Sequence, residues 1–148
     1  MADEIERKFL VIGPFQKLAK ESIRIRQAYI STDPMRTIRI RIAGEKGILT
    51  FKSVIGQNSF TRKEWEFKIP LTDAEEMLQI CLPGVIDKTR YLIPVGIHTW
   101  EVDFFHGKNE GLIIAEIELR SEEEKFERPE WLGEEVTGNP RYYNSNLI

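Results

Sequence analysis

Residues 36–42 read Arg-Thr-Ile-Arg-Ile-Arg-Ile. In an extended chain successive side chains point to opposite faces. Thr37, Arg39 and Arg41 then share one face, and Ile38, Ile40 and Ile42 share the other. The stretch is a strand with one charged and one apolar side, and the fold turns on where the charged side goes.

The same alternation recurs along the chain. Period-2 runs bounded by turn residues give about eight strands, near 3–11, 23–30, 36–43, 47–54, 59–69, 85–92, 97–106 and 111–120. Between them lie "AGEKG" (43–47), "IGQN" (55–58), "IPVG" (93–96) and "HGKNEG" (106–111), short enough to be hairpin turns and to favour an antiparallel meander. Two helices are expected. "TDAEEMLQIC" sets Glu75 three residues after Thr72, and "SEEEKFE" sets Glu124 three after Ser121, each a capping-box spacing. The tail after Pro129 is mixed, with a short helix expected after Pro140.

Composition narrows the function. At 148 residues the chain fits one domain with a real core, and with a net charge of -3 nothing global suggests a polyanion-coating or membrane-surface protein, so any basic site must be local. A single cysteine, Cys81, rules out an intrachain disulfide framework and a four-thiolate zinc site. The charged N-terminus lacks a leader's apolar stretch, and no run approaches the roughly 18 apolar residues of a membrane span. The expected compartment is the cytosol, with no membrane partner.

Seven of the eight runs carry a charged face. In the first, Glu4, Glu6 and Lys8 oppose Ile5, Phe9 and Val11, with Arg7 as the exception. Lys52 sits opposite Leu49 and Phe51 in parity, and Arg62, Glu64 and Glu66 opposite Trp65 and Phe67. Lys88 and Arg90 share a face, as do Glu101 and Asp103, and Glu116 and Glu118. The second run is different: Arg24 and Arg26 lie on one side, Gln27 and Tyr29 on the other.

Two architectures fit. A sheet or sandwich would bury the apolar faces and leave the charges in water. A closed sheet would turn the charged faces inward and pack the apolar faces against helices and loops. Signs are segregated, since the Arg39 and Lys88 strands are basic and the Asp103 and Glu116 strands acidic, whereas a surface built for solubility intersperses them. A lining of this kind needs a filling of both signs. Carboxylates suit hard divalent cations, and Arg and Lys suit phosphate oxygens, so the pattern points to a metal-bound polyphosphate. The acidic half argues against a nucleic-acid partner, because carboxylates repel a phosphate backbone.

"EIERK" at 4–8 resembles the Glu-x-Glu-x-Lys signature of the CYTH superfamily, the triphosphate tunnel metalloenzymes. It is followed in order by "RIRI", "LTFKS", "RKEWE", "DKTRY", "EVDFF", "AEIEL" and "WLGEEVTGNPRYYNSNL", so the likeness spans nearly the whole chain, and it is nearest to the short bacterial inorganic triphosphatases. The resemblance implies a mainly β (α+β) fold, an eight-stranded antiparallel closed barrel with a few peripheral helices. It implies two Mg²⁺ or Mn²⁺ ions and a linear triphosphate inside, cleaved to pyrophosphate and phosphate. By resemblance the metal ligands are Glu4, Glu6, Glu116 and Glu118, and the phosphate ligands Lys8, Arg39, Arg41, Lys52, Arg62, Lys88 and Arg90. Asp103 and Glu64 match further acidic positions, and Tyr29 matches a tyrosine that is a candidate proton acceptor, sharing the catalytic set with Glu4, Glu6 and Lys8. Alternatives of other kinds are an organic triphosphate hydrolase, a class IV-type adenylyl cyclase, and a non-catalytic polyphosphate-binding module.

Overall fold

The computed structural model describes residues 2–54 and 61–148, with side chains from Ile5 and, past the break, from Arg62. The expected "IGQN" turn lies outside the described residues. Nine strands form one antiparallel sheet: β1 (Ala2–Val11), β2 (Glu21–Ser31), β3 (Thr37–Ala43), β4 (Lys46–Ser53), β5 (Thr61–Ile69), β6 (Ile86–Val95), β7 (His98–Phe105), β8 (Ile113–Leu119) and β9 (Leu132–Glu135). They run β5-β4-β3-β2-β6-β7-β8-β1-β9, and β1 also pairs with β5 through Ala2–Ile5. The mainly β antiparallel expectation holds, but the described residues form nine strands rather than eight. The addition is β9, whose Leu132 and Glu135 lie opposite Val11 and Phe9 of β1.

Turn chemistry sets the register. Gly44 and Gly96 adopt φ of 61°, and among the described residues only glycines have positive φ, the signature here of two-residue turns that match strand twist. The second of these corrects the expected "IPVG" turn. β6 continues through Val95, which faces His98, and exposed Pro94 sits opposite Thr99 at the hairpin end, where its missing N–H costs least.

The apolar faces are turned outward and for the most part covered, Phe51 of β4 and Phe67 of β5 staying exposed. One core holds Phe9, Phe15, Ile93, Trp100, Val102, Ala115, Ile117 and Trp131, with Phe126 packed against it. Trp100 stands edge-on to Phe9 at 5.6 Å and to Trp131 at 5.6 Å, contacts worth about 0.5–1.5 kcal/mol each beyond buried area. Arg7, the parity exception, belongs to this outer side: it forks onto the Glu135 carboxylate at 2.6 and 2.8 Å and lies over the Phe126 ring.

A helix, α1 (Leu71–Ile80), covers β3. Ala74, Met77 and Leu78 recur at helical spacing and pack on Ile40 and Ile42, while Glu75 pairs with Arg26 at 2.7 Å. The Thr72 capping box is not formed, because Pro70 precedes the first turn and takes the cap position. Nor is 121–127 a helix. The Glu124 carboxylate accepts from the Arg120 backbone N–H at 2.7 Å and pairs with His98 at 2.5 Å, which pins the segment as a turn. The short helix expected after Pro140 is present as a 3-10 turn, Pro140–Tyr142.

Gly47 marks the tightest contact under α1, since a Cβ there would meet the Ala74 Cβ at 2.8 Å and the Ile69 carbonyl at 2.9 Å. Gly47→Ala is expected to lower unfolding free energy by about 1–3 kcal/mol in urea titration, with the fold retained.

Candidate active site

The charged faces share the inner side of the sheet. Register sets Tyr29 opposite Arg39 and Gln27 opposite Arg41 between β2 and β3, and Thr37 opposite Lys52 between β3 and β4. It sets Glu6 opposite Glu118 and Lys8 opposite Glu116 between β1 and β8. Glu6, Lys8, Tyr29, Arg39, Lys52 and Arg62 line one cleft. Six residues named from the sequence thus meet on five strands. Glu4 lies opposite Arg62 along the backbone, and its side chain is outside the described residues.

Beneath the cleft is a buried ionic floor. Lys88 is fully buried and donates its ammonium to Asp103 Oδ2 at 2.6 Å, while Arg90 donates to both Asp103 oxygens at 2.8 and 3.0 Å. Burial pushes the Lys88 ammonium down to about 7; Asp103 opposes this and Arg90 and Arg41 reinforce it. For Asp103 burial favours the neutral acid, yet Lys88 and Arg90 outweigh it and hold the carboxyl well below its usual range. Arg90 is raised: burial works against its charge and Asp103 more than offsets that. Asp103 is therefore an internal counter-ion for two of the cations.

Other cations are held differently. Lys8 lies 3.7 Å from the buried Glu116, and Lys52 lies 3.5 Å from Glu64, giving Glu64 a place as a partner of the cleft wall. Arg39 donates to Thr50 at 3.2 Å and stands 3.9 Å from Glu66. Arg41 donates its Nε to the Gln27 amide oxygen at 2.8 Å. Burial disfavours the Arg41 charge, and the Arg39 and Arg90 guanidiniums add to that.

The carboxylates gather at one side. Glu101 faces Glu116 across β7 and β8, and Glu6 faces Glu118, which is exposed at the strand end. Like charges directly opposite repel. Burial raises the Glu101 carboxyl, and although Arg90 counters it, Glu116 and Asp103 raise it further.

The tail supplies residues that strand parity did not identify. Thr137, Gly138, Tyr143, Asn144 and Ser145 complete the cleft wall. The Tyr143 ring lies 5.5 Å from both the Lys8 ammonium and the Arg62 guanidinium, and Asn144 Oδ1 accepts from Lys88 at 3.1 Å. Tyr142 packs beside Tyr29, its carbonyl accepting from Lys8 at 3.4 Å, whereas Arg141 is exposed. In the sequence these residues were marked only by the last stretch of the family likeness, "WLGEEVTGNPRYYNSNL". Neither histidine lines the cleft: His98 meets Glu124 and His106 meets Thr89.

The CYTH domain family matches residues 2–146 of the chain. An inorganic triphosphatase of Acetivibrio thermocellus is 46% identical over 149 residues, covering 100% of this chain and 94% of that protein. One from Nitrosomonas europaea is 34% identical, covering 97% and 95%. A crystal structure of an inorganic triphosphatase superposes with a TM-score of 0.70 at 34% identity, over 97% of this chain and 95% of the other.

The floor has a pH signature. For Glu116 burial favours protonation, but Lys8, aided by Arg90 and Lys88, brings its pKa down from 4.5 to about 2, against opposition from Asp103. The unfolded chain therefore takes up this proton first as pH falls. Its stabilising contribution is complete above the unfolded value of 4.5 and is lost as pH drops through about 2. The metal-free protein should show a urea midpoint that falls through this acid window, and falls less steeply in Glu116→Gln.

Proposed function

The chain belongs to the CYTH domain family, and from that membership and the cleft's cations we infer that it hydrolyses inorganic triphosphate to pyrophosphate and phosphate. The observation that carries the reading is the convergence of Lys8, Arg39, Lys52 and Arg62 on one cleft beside the Glu6 carboxylate. Polyphosphate oxygens match these donors, Arg through its planar fork and Lys as a point charge. Arg41 extends the positive field beneath, where Lys88 and Arg90 share the single Asp103 carboxylate.

In the reaction a water oxygen bonds to the terminal phosphorus, the bridging P–O bond breaks, and pyrophosphate leaves with the electron pair. Lys8, Arg39 and Arg62 bind and orient the chain and offset charge on the leaving group. Tyr29 lines the cleft beside Arg39 and is the candidate acceptor of the water proton.

A divalent cation fits the carboxylate side in donor chemistry and register. Glu6 and Glu118 face each other on the inner side, as do Glu101 and Glu116, and a cation between them would relieve their repulsion. Among the described residues no three acidic, His or Cys side chains form a ready-made cluster, and the ligand set proposed is Glu4, Glu6, Glu116 and Glu118. When bound, two Mg²⁺ or Mn²⁺ ions would offset phosphate charge and acidify the attacking water.

The closed tunnel belongs to the same proposal. Its support is the double pairing of β1, with β8 along Ile5–Leu10 and with β5 along Ala2–Ile5, which would bring β5, at one end of the strand order, back onto β1.

Phosphate release from tripolyphosphate, ATP and thiamine triphosphate, measured with Mg²⁺, Mn²⁺ or chelator, tests the reading. Metal-dependent release from tripolyphosphate, abolished by chelator, is expected. Release from none would overturn the enzyme reading, cyclic AMP from ATP would favour a cyclase, and a preference for ATP or thiamine triphosphate would favour an organic substrate. Glu6→Gln should lower kcat by roughly a hundredfold or more with circular dichroism unchanged. Activity near that of the unaltered chain would remove Glu6 from the metal set.

A further inference from the structure

The buried cations are managed in two chemically different ways, and the difference singles out Gln27. Lys88 and Arg90 share the Asp103 carboxylate. Arg41, directly across from Gln27 in the β2–β3 register, instead donates its Nε to a neutral amide oxygen at 2.8 Å. Among the described residues Arg41 forms no other hydrogen bond and no ion pair.

Gln27 is fully buried. Arginine only donates, so the amide oxygen must face it and the NH₂ must point the other way. That Nε2 has no hydrogen-bond partner, and nearby on the same inner face the Nε of Arg39, itself 7% exposed, is also unpartnered. A buried donor without an acceptor is costly, and these two flank an Arg41 charge that burial disfavours, directly behind the cleft wall that Arg39 and Tyr29 line.

The residue type is informative. A hydrocarbon at 27 would leave the Arg41 Nε unbonded and the guanidinium unoriented. A glutamate would bond it equally well but offset its charge, as the shared Asp103 carboxylate does in part for Lys88 and Arg90. Glutamine alone among these orients the guanidinium and preserves its pull on a phosphate.

We propose that Gln27 is a positioning residue for the polyphosphate: its amide oxygen aims Arg41 without neutralising it, and its free N–H groups are kept for an oxygen of the same anion. This rests on the reading of the cleft as a triphosphate site.

Gln27→Glu and Gln27→Met test it, with KM and kcat for tripolyphosphate and the melting temperature of the ligand-free protein measured for each. Gln27→Glu is expected to raise KM about tenfold or more with a smaller change in kcat, while the ligand-free melting temperature is unchanged or higher, because the new carboxylate pairs with Arg41. Gln27→Met keeps the charge and loses the aim, so its KM should rise less, by roughly threefold to tenfold. A KM within twofold of the unaltered chain in either variant would overturn the proposal, as would equal KM values in the two. A purely structural Gln27 would instead lower the melting temperature of Gln27→Glu and leave its KM in place. Should Gln27→Glu not fold, the KM of Gln27→Met decides. Failure of the triphosphatase reading is separately visible as absence of phosphate release from the unaltered chain, and the ligand-free melting temperatures still judge the Gln27–Arg41 charge argument.

Discussion

The constraint on which the molecule depends is that Lys88, Arg90 and Asp103 lie on the inner side of the sheet, out of water. Removing ions from water costs several kcal/mol per ion unless each finds a partner. Asp103 is fully buried and bonded to both cations, and Glu116 serves Lys8. A hydrophobic trio would stabilise the fold as well or better. Such an interior is therefore explained by what it binds rather than by stability, and its sign pattern sets the chemistry.

Turning the charges inward forces the apolar faces outward, so the core lies outside the sheet. It must then be covered by elements that take no part in binding. α1 does this for Ile40 and Ile42, and Phe15, Phe126, Trp131 and β9 do it for Phe9, Trp100 and Ile117. The covering also locks the site. β9 and the chain after it hydrogen-bond to the β1 backbone, with Val136 N–H donating to the Lys8 carbonyl at 2.8 Å and Thr137 Oγ1 accepting from the Lys8 N–H at 2.9 Å. The residue whose ammonium enters the cleft is thus fixed by the segment that closes the outer core.

Much of this was legible because a strand's period of two sorts side chains onto faces without regard to distant partners. Ile38, Ile40 and Ile42 against Arg39 and Arg41 could be read locally, and the segregation of signs indicated which way the faces turn. What could not be read depends on contacts far along the chain. The capping-box spacing at Ser121 looked helical, but Glu124 is taken by His98, twenty-six residues away. Arg7 broke the parity of its strand because its partner, Glu135, is 128 residues distant. Tyr143 and Asn144 lie in an aperiodic tail, so nothing in their spacing announced contacts to Lys8, Arg62 and Lys88.

The second strand, which presents no charge at Gln27 and Tyr29, is where sequence parity and site chemistry meet. Gln27 and Tyr29 stand directly opposite Arg41 and Arg39. Acids there would have neutralised both arginines, as Asp103 neutralises Arg90, and the basic half would have kept little attraction for an anion. Uncharged polar residues bond or flank the guanidiniums and leave their field intact, and Thr50 does the same for Arg39 from the other side. The cations therefore fall into two groups. Lys88 and Arg90 are tied to a buried carboxylate and shape the floor, while Arg39 and Arg41 hydrogen-bond to neutral side chains, with the exposed Glu66 standing 3.9 Å from Arg39. The Asp103 carboxylate is thus confined to the floor, and under the proposed triphosphate reading the uncharged residues of β2 and β4 would set the site's affinity as much as the arginines they hold.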